Sequence, residues 1–498
     1  MKPLKLKSLL FAVFSVLIIS VYVVACSTSG GGTKTGNTQV AEQPEIKIDE
    51  TTQKCISCHE KEGEGKSIVE EWKKSSHAQN NVGCLSCHIA KKSDKDAYEH
   101  EGYTIHTIVT PNNCATCHPN ESKEFQSSYH ADAGMIMGSL DNVLAEVVEG
   151  NVHFMDNSNP AAAAGCHQCH GSAVKMLYDK EGNVVKNDAG IAQYDPKTWP
   201  NTGIGRINVD GSKGSCSACH SRHDFSRELA RNPENCGKCH QGPDHPQYEI
   251  YQLSKHGIAF AAHKDEMNLA SKKWVVGEDY TVAPTCATCH ISATPTLPVT
   301  HDVGTRISWT LRPKVSEKVN RHGLTWQKQR DNMKNVCSQC HEKSVIEGHY
   351  KQYDNEVNLY NEKFGKPVLK IMKLMHAEGL LTSVKFDEKL EWDYFLLWHH
   401  QGRRARMGAS MMAPDYTQWH GNFEVAEIWY TQMVPEIKEL IEKAKKSGNA
   451  AGAKKVEDEL NNILNSDLHK WYVGKEDPKE AAKRKAAAAE FRKRYSNN

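Results

Sequence analysis

The sequence predicts a mainly α-helical protein in two unlike parts: short helices and loops through the first 349 residues, and long helices from residue 350 onward. Three observations predict this. A five-residue cysteine and histidine motif recurs eight times before residue 342 and never after it. Clusters of Gly, Pro, Asn and Ser separate the copies, and no run of alternating polar and apolar residues signals strands there. Beyond the last copy, apolar residues return at helical spacings.

At the N-terminus, Lys2, Lys5 and Lys7 precede an apolar run from Leu9 to Ala25, the order of a secretory leader. The run closes on Val23-Val24-Ala25-Cys26, the pattern at which a lipoprotein leader is cut and its cysteine lipidated. The competing reading is an uncleaved anchor, since the run approaches the ~18 residues that span a bilayer. Residues 1–25 are therefore expected as a leader and 26–50, rich in Ser, Thr, Gly and Gln, as a flexible tether. Both readings place the chain outside the cytoplasm and at a membrane, in a periplasmic or other extracytoplasmic setting.

Cys-x-x-Cys-His stands at Cys55/Cys58/His59, Cys84/Cys87/His88, Cys114/Cys117/His118, Cys166/Cys169/His170, Cys216/Cys219/His220, Cys236/Cys239/His240, Cys286/Cys289/His290 and Cys337/Cys340/His341. The eight copies use sixteen of the 17 cysteines and leave only Cys26. This is the attachment signature of c-type haem: two thiols bond the porphyrin edge, and the adjacent imidazole ligates the iron from one face. Paired Cys-x-x-Cys knuckles also hold zinc, but no tetrahedral site demands a histidine after the second cysteine of every copy.

Eight covalent haems need eight further axial positions filled or left open. The chain has 26 histidines, eighteen of them outside the eight motifs, enough for imidazoles on both faces of most irons. The leading candidates for the second ligand are His77, His130, His223, His256 and His301, with His100, His106, His153, His167 and His263 behind them. Lys and Arg number 62 against 61 Asp and Glu, so no basic field argues for nucleic acid.

Residues 51–349 are thus expected as a haem-bearing region of short helices and loops, in which porphyrins supply much of the apolar core. Residues 350–498 are expected as a helical domain. Leu359, Phe364, Val368, Ile371, Met372 and Met375 fall on one helical face between Asn355 and about Leu380. Glu391 to Met412 and Glu424 to Lys446 read the same way, and Pro478 to Tyr495 reads as a solvated terminal helix.

Several longer strings carry a family resemblance. They are Gly242-Pro243-Asp244-His245-Pro246-Gln247 with Ser254-Lys255-His256-Gly257, then Thr300-His301-Asp302-Val303, His399-His400-Gln401-Gly402-Arg403-Arg404-Ala405-Arg406, and Met411 through Gly421. With the motif order and the motif-free helical tail, the chain resembles the octahaem hydroxylamine oxidoreductases from about Thr51 to Trp429. The resemblance implies that the fourth haem, on Cys166, Cys169 and His170, is the reacting one, with Asp244 and His245 lining its pocket. A carboxylate and an imidazole side by side can relay protons near neutral pH. A plainer role for the pair, His245 as an iron ligand and Asp244 as a loop residue, stays open.

The resemblance further implies a homotrimer in which a tyrosine of one subunit is cross-linked to the fourth haem of the next in the oxidising members. Tyr416 is the candidate, with Phe423 the alternative occupant of that position and an ordinary packing role for Tyr416 equally open. The expected function is redox chemistry on hydroxylamine, hydrazine or nitrite, with electrons exchanged with a cytochrome or quinone-linked partner. Reduction by an uncross-linked haem and oxidation by a cross-linked one both remain. The competing class is a membrane-tethered conduit that carries electrons and binds no substrate; tetrathionate or sulfite chemistry fits the strings less well.

Overall fold

The computed structural model describes residues 48–61, 65–135, 160–308 and 323–496, all of which belong to one compact unit beginning at Ile46. The expected leader, Cys26 and nearly all of the tether, with His153, lie outside the described residues. The chain is mainly α, as its sequence predicts, and among the described residues no helix is long and apolar enough to cross a membrane.

Attachment motifs are written onto a helical turn, as in Cys84–His88, Cys166–His170 and Cys286–His290, while the third, sixth and eighth run off a helix end through a turn closed from histidine amide to first-cysteine carbonyl. A helical turn brings residues i, i+3 and i+4 to one face, so both thiols and the imidazole of a copy point the same way. Such short helices need external help, because five residues cannot repay the cost of nucleation. Capping supplies it. Thr285 accepts from the Thr288 amide at 3.3 Å while its own amide donates to Thr288 Oγ1 at 2.9 Å. Tyr280 adds a third contact, donating to Thr288 Oγ1 at 2.7 Å. Thr110 with Asn113 builds the same box before the third motif, and Pro111 and Pro233 open helices where a missing N–H is harmless.

Apolar packing is sparse among the motifs and dense after them. Ile56, Val69, Trp72 and Ala78 make one small cluster, and a second gathers around Met267, Trp274 and Tyr280. The large core runs from Tyr360 to Leu464. That contrast is what a haem-bearing region followed by a self-sufficient helical region requires.

Three features depart from the sequence reading. A hairpin pairs Tyr98–His100 with Tyr103–Ile105 where no strand was expected. Its two-residue turn, Glu101-Gly102, holds both residues at positive φ, 50° and 85°, the geometry that fits the twist of paired strands. The helix Lys343–Tyr360 starts two residues after the last motif and runs across position 350, so one continuous helix carries the chain from the first region into the second. The third departure is that the long C-terminal helices are interrupted by wide π turns at Asn361–Gly365, Leu396–Gln401, Gln418–Phe423 and Trp429–Met433.

Two of these π turns precede prolines, which explains them. Pro367 has no N–H for the Lys363 carbonyl, so the regular ladder cannot close there. His469 takes the vacancy: its Nε2–H donates to the Lys363 carbonyl at 2.7 Å, and its Nδ1 accepts from the Tyr430 hydroxyl at 2.7 Å. Pro435 stands in the same relation to the turn Trp429–Met433. The helix Ala450–Asn465, which buries Ala453, Val456, Leu460 and Ile463, completes the core.

Candidate functional site

The structure brings all five leading candidate histidines opposite a motif histidine. His77 faces His118 with ring centres 6.2 Å apart, and His223 faces His88 at 6.4 Å. His130 faces His240 at 6.1 Å, His301 faces His220 at 6.5 Å, and His256 faces His341 at 5.9 Å. His100, at the end of the hairpin strand, makes a sixth pair with His59 at 6.1 Å. Imidazoles bonded at about 2 Å to opposite faces of one iron have their ring centres about 6 Å apart, so the pairs fit a six-coordinate haem.

The chemistry of these rings fits as well. A metal takes the neutral imidazole, and burial followed by the facing imidazole holds His130 and His220 down to about 4. The same causes, in the same order, lower His77, His223 and His256. Nδ1 of His88 lies 2.9 Å from the His106 carbonyl and Nδ1 of His240 3.4 Å from Gln247 Oε1, which leaves Nε2 of each ring for an iron. Of the other candidates, His106 thus serves as a backbone holder for His88, with its own Nδ1 3.9 Å from Asp96. His263 pairs with Glu266 at the surface, and His167 is buried between the cysteines of the fourth motif.

Cysteine contacts order the motifs in space. Side chains touch between Cys55 and Cys84, Cys114 and Cys216, Cys236 and Cys286, and Cys169 and Cys239. Cys87 lies near Cys114 and Cys117, Cys219 near Cys236, and Cys289 near Cys337. The motifs therefore run one, two, three, five, six, seven, eight, with the fourth joined to the sixth. A haem-bonded cysteine is a thioether with no proton to lose, so only these proximities matter.

Asp244 and His245 sit beside that junction of the fourth and sixth motifs. Their loop leaves the sixth motif through Gly242, at φ 92°, whose amide donates to Glu249 Oε1 at 3.2 Å. His245 Nδ1 is hydrogen-bonded to Asp244 Oδ1, and its Nε2 lies 3.1 Å from the Cys239 carbonyl. Both ring nitrogens thus face acceptors. The hydrogen bond from Asp244, outweighing burial, raises His245 above its ordinary value. For Asp244, burial alone would raise the carboxyl, but the His245 hydrogen bond and the charges of His245, His399 and Arg403 together hold it at about 2.

The C-terminal region completes this site, which the sequence reading did not assign. His399 Nδ1 lies 4.0 Å and Arg403 Nη1 3.6 Å from Asp244 Oδ2. Arg404 donates to the Pro243 carbonyl at 2.8 Å and to Glu424 Oε2 at 2.9 Å. His399 lies in the π turn Leu396–Gln401, stacked on Phe395 at 4.4 Å, and both arginines follow on the helix Gly402–Ser410. The signal was present as His399 and Arg403 at i and i+4, an imidazole and a guanidinium one helical turn apart.

Tyr416 is half-buried against its own chain. Its ring lies 5.2 Å from His420, and burial, then the nearby Glu249, raises its hydroxyl. Trp419 at 56 % and Phe423 at 49 % are the aromatic rings of this segment that project to the surface.

Comparison with known proteins agrees with covalent c-type haem at several motifs and with the fold. A family model described as seven times multi-haem cytochrome CxxCH matches residues 205–388, and one for cytochrome c554 and c-prime matches 25–89 and 113–192. The chain is 27 % identical over 269 residues to a probable nitrite reductase-hydroxylamine oxidoreductase fusion protein of Kuenenia stuttgartiensis, covering 48 % of this chain and 25 % of that one. It is 24 % identical over 253 residues to the C-type polyheme cytochrome OmcC of Geobacter sulfurreducens, covering 43 % of this chain and 32 % of that one. The chain thus spans only 25 % and 32 % of the length of these curated relatives. Among solved structures, a hypothetical multiheme protein superposes with a TM-score of 0.65 at 26 % identity, over 80 % of this chain and 98 % of that one. The reducing HAO-like protein complex of Kuenenia stuttgartiensis shares the fold, with a TM-score of 0.53 at 18 % identity over 82 % of this chain and 87 % of that one.

Proposed function

The chain belongs to the multihaem c-type cytochromes of the hydroxylamine oxidoreductase-like kind, and from that premise we propose that it reduces small nitrogen compounds, nitrite or hydroxylamine, at the haem of its fourth motif. The single observation that carries the reading is His245. With Asp244 on one ring nitrogen and the Cys239 carbonyl on the other, its favoured form holds a proton on both. An imidazolium beside the fourth motif is a proton donor, and reduction of nitrite or hydroxylamine consumes protons with electrons. Asp244 holds that imidazolium in orientation, and Arg403 and His399 fix Asp244 in turn.

Eight covalent haems are part of the proposal, held by the eight motifs. The six facing histidine pairs would supply both axial ligands of the first, second, third, fifth, sixth and eighth. Bound haem supplies one-electron storage and transfer along the motif order. Trp419 and Phe423, not Tyr416, are the rings that project from this segment, in keeping with an uncross-linked haem and hence with reduction. Trp419 and Phe423, exposed with ring centres 5.3 Å apart, are suited to a homotrimer contact. Export and a lipid anchor at Cys26 complete the reading, with electrons supplied by a cytochrome or quinone-linked donor.

Viologen-reduced holoprotein is expected to convert nitrite or hydroxylamine to ammonium, and Asp244→Asn and His245→Gln to lose about 10²- to 10⁴-fold in rate with haem content intact. Full haem content with no turnover in either direction would leave the second reading, a tethered conduit, which the unbroken series of motif contacts also suits. Mass spectrometry of the peptides holding Tyr416 and Phe423 is expected to find no attached porphyrin; a porphyrin on Tyr416 would reverse the direction to oxidation.

A further inference from the structure

Four described arginines are buried, and they divide into two kinds. Arg330 is paired through both terminal nitrogens with Asp354, each at 2.8 Å, and Arg406 has Glu356 within electrostatic reach. Arg206, 2 % exposed, and Arg306, 3 % exposed, have no carboxylate within ion-pair distance among the described residues. Among the described carboxylates Asp210 acts on Arg206 from a distance, its oxygens taken up by Ser212, Thr110 and Asn112.

Arg306 is built into the backbone of an attachment motif, and Arg206 lies between two, its backbone on the fourth and its charge acting on Cys216 of the fifth. Arg306 donates through Nη1 to the carbonyls of Thr288 and Cys289 at 3.3 Å each, and through Nη2 to Ser292 at 2.7 Å and Pro298 at 3.2 Å. It therefore grips the seventh motif at the residue before His290. Arg206 donates through Nε to Asn208 Oδ1 at 2.7 Å and through Nη1 to the Asn201 carbonyl at 3.2 Å. Its strand of chain lies directly on the fourth motif: the amides of Ile204 and Gly205 donate to the carbonyls of Cys169 and His170 at 3.0 and 3.1 Å. Gly171, at φ 86°, makes the crossing possible, since a Cβ there would stand 2.3 Å from the Arg206 nitrogen.

A buried ion is costly unless something offsets it, and neutral carbonyl dipoles do so without cancelling its charge. We propose that Arg206 and Arg306 are fixed internal cations that raise the reduction potentials of neighbouring haems, at the fourth and fifth motifs for Arg206 and at the seventh for Arg306. A cation held close to an iron in a medium of low polarity favours the form with one positive charge fewer, the reduced one. Water and salt reach neither guanidinium, so the effect is permanent and unscreened. The inference rests on covalent haem at these motifs and stands whether or not nitrite or hydroxylamine is the substrate.

Optical redox titration of the haem-replete protein tests it. Arg206→Gln and Arg306→Gln are each expected to move at least one centre to a lower midpoint, and Arg206→Lys and Arg306→Lys to leave it in place. A Gln variant with full haem content that titrates like the parent overturns the proposal. So does a Lys variant whose centre falls as far as that of its Gln counterpart, which would mean that shape and not charge sets the potential. If a Gln variant fails to assemble, its Lys partner decides: the parental midpoint supports the proposal and a lowered one overturns it.

Discussion

A carboxylate set between two imidazoles and a guanidinium has one comfortable charge state. Asp244, held at about 2, is an anion throughout the physiological range, and its charge keeps the proton on His245. Asp244→Asn is therefore expected to lower the His245 titration, so the alkaline limb of the pH–rate profile moves to lower pH; a limb that does not move would detach the pair from proton delivery. Asp244 and His245 were legible because they are neighbours in sequence. Arg404 was not, because its bond to the Pro243 carbonyl spans 161 residues and only the fold makes it. The histidine partners were legible as a set, since each lies in a short string before or between motifs, but pairing each with its iron required the distances.

At the scale of elements, proline accounts for what periodicity missed. Apolar spacing located the helices after residue 350, but a π turn changes the local period, and its position follows from Pro367 and Pro435 and not from hydrophobic pattern. The Glu101-Gly102 hairpin was missed because three-residue strands show too little alternation to read, although the glycine turn signal was present. His469 is the clasp of the C-terminal region, and His469→Ala is expected to cost about 3 kcal/mol, leaving a buried carbonyl and a buried hydroxyl unmet. In a Pro367→Ala background the cost should shrink, because Lys363 regains an amide donor; equal costs in the two backgrounds would contradict this account. Burial, acting before any other cause, also lowers His469 from its ordinary 6.5. The folded form thus refuses a proton that the unfolded chain accepts, and stability is expected to fall as pH drops below about 6.5 and to level off once the lowered value is passed. Urea melts at several pH values check the sign.

Over the whole molecule, the sixth motif is the junction, touching the fourth through Cys239, the fifth through Cys219, and the seventh through Cys236. On the proposed function, electrons bound for the fourth haem would converge there. His130→Met, which replaces the imidazole facing His240 with a thioether, is expected to raise the sixth potential and slow turnover, while ligand binding at the fourth haem is kept. Unchanged turnover would remove the junction from the route. The most direct test of the account is the optical spectrum of the fully reduced protein before and after carbon monoxide. The account predicts a carbon monoxide response at the fourth haem, which a variant lacking the fourth motif no longer gives; a spectrum that carbon monoxide leaves untouched would contradict it.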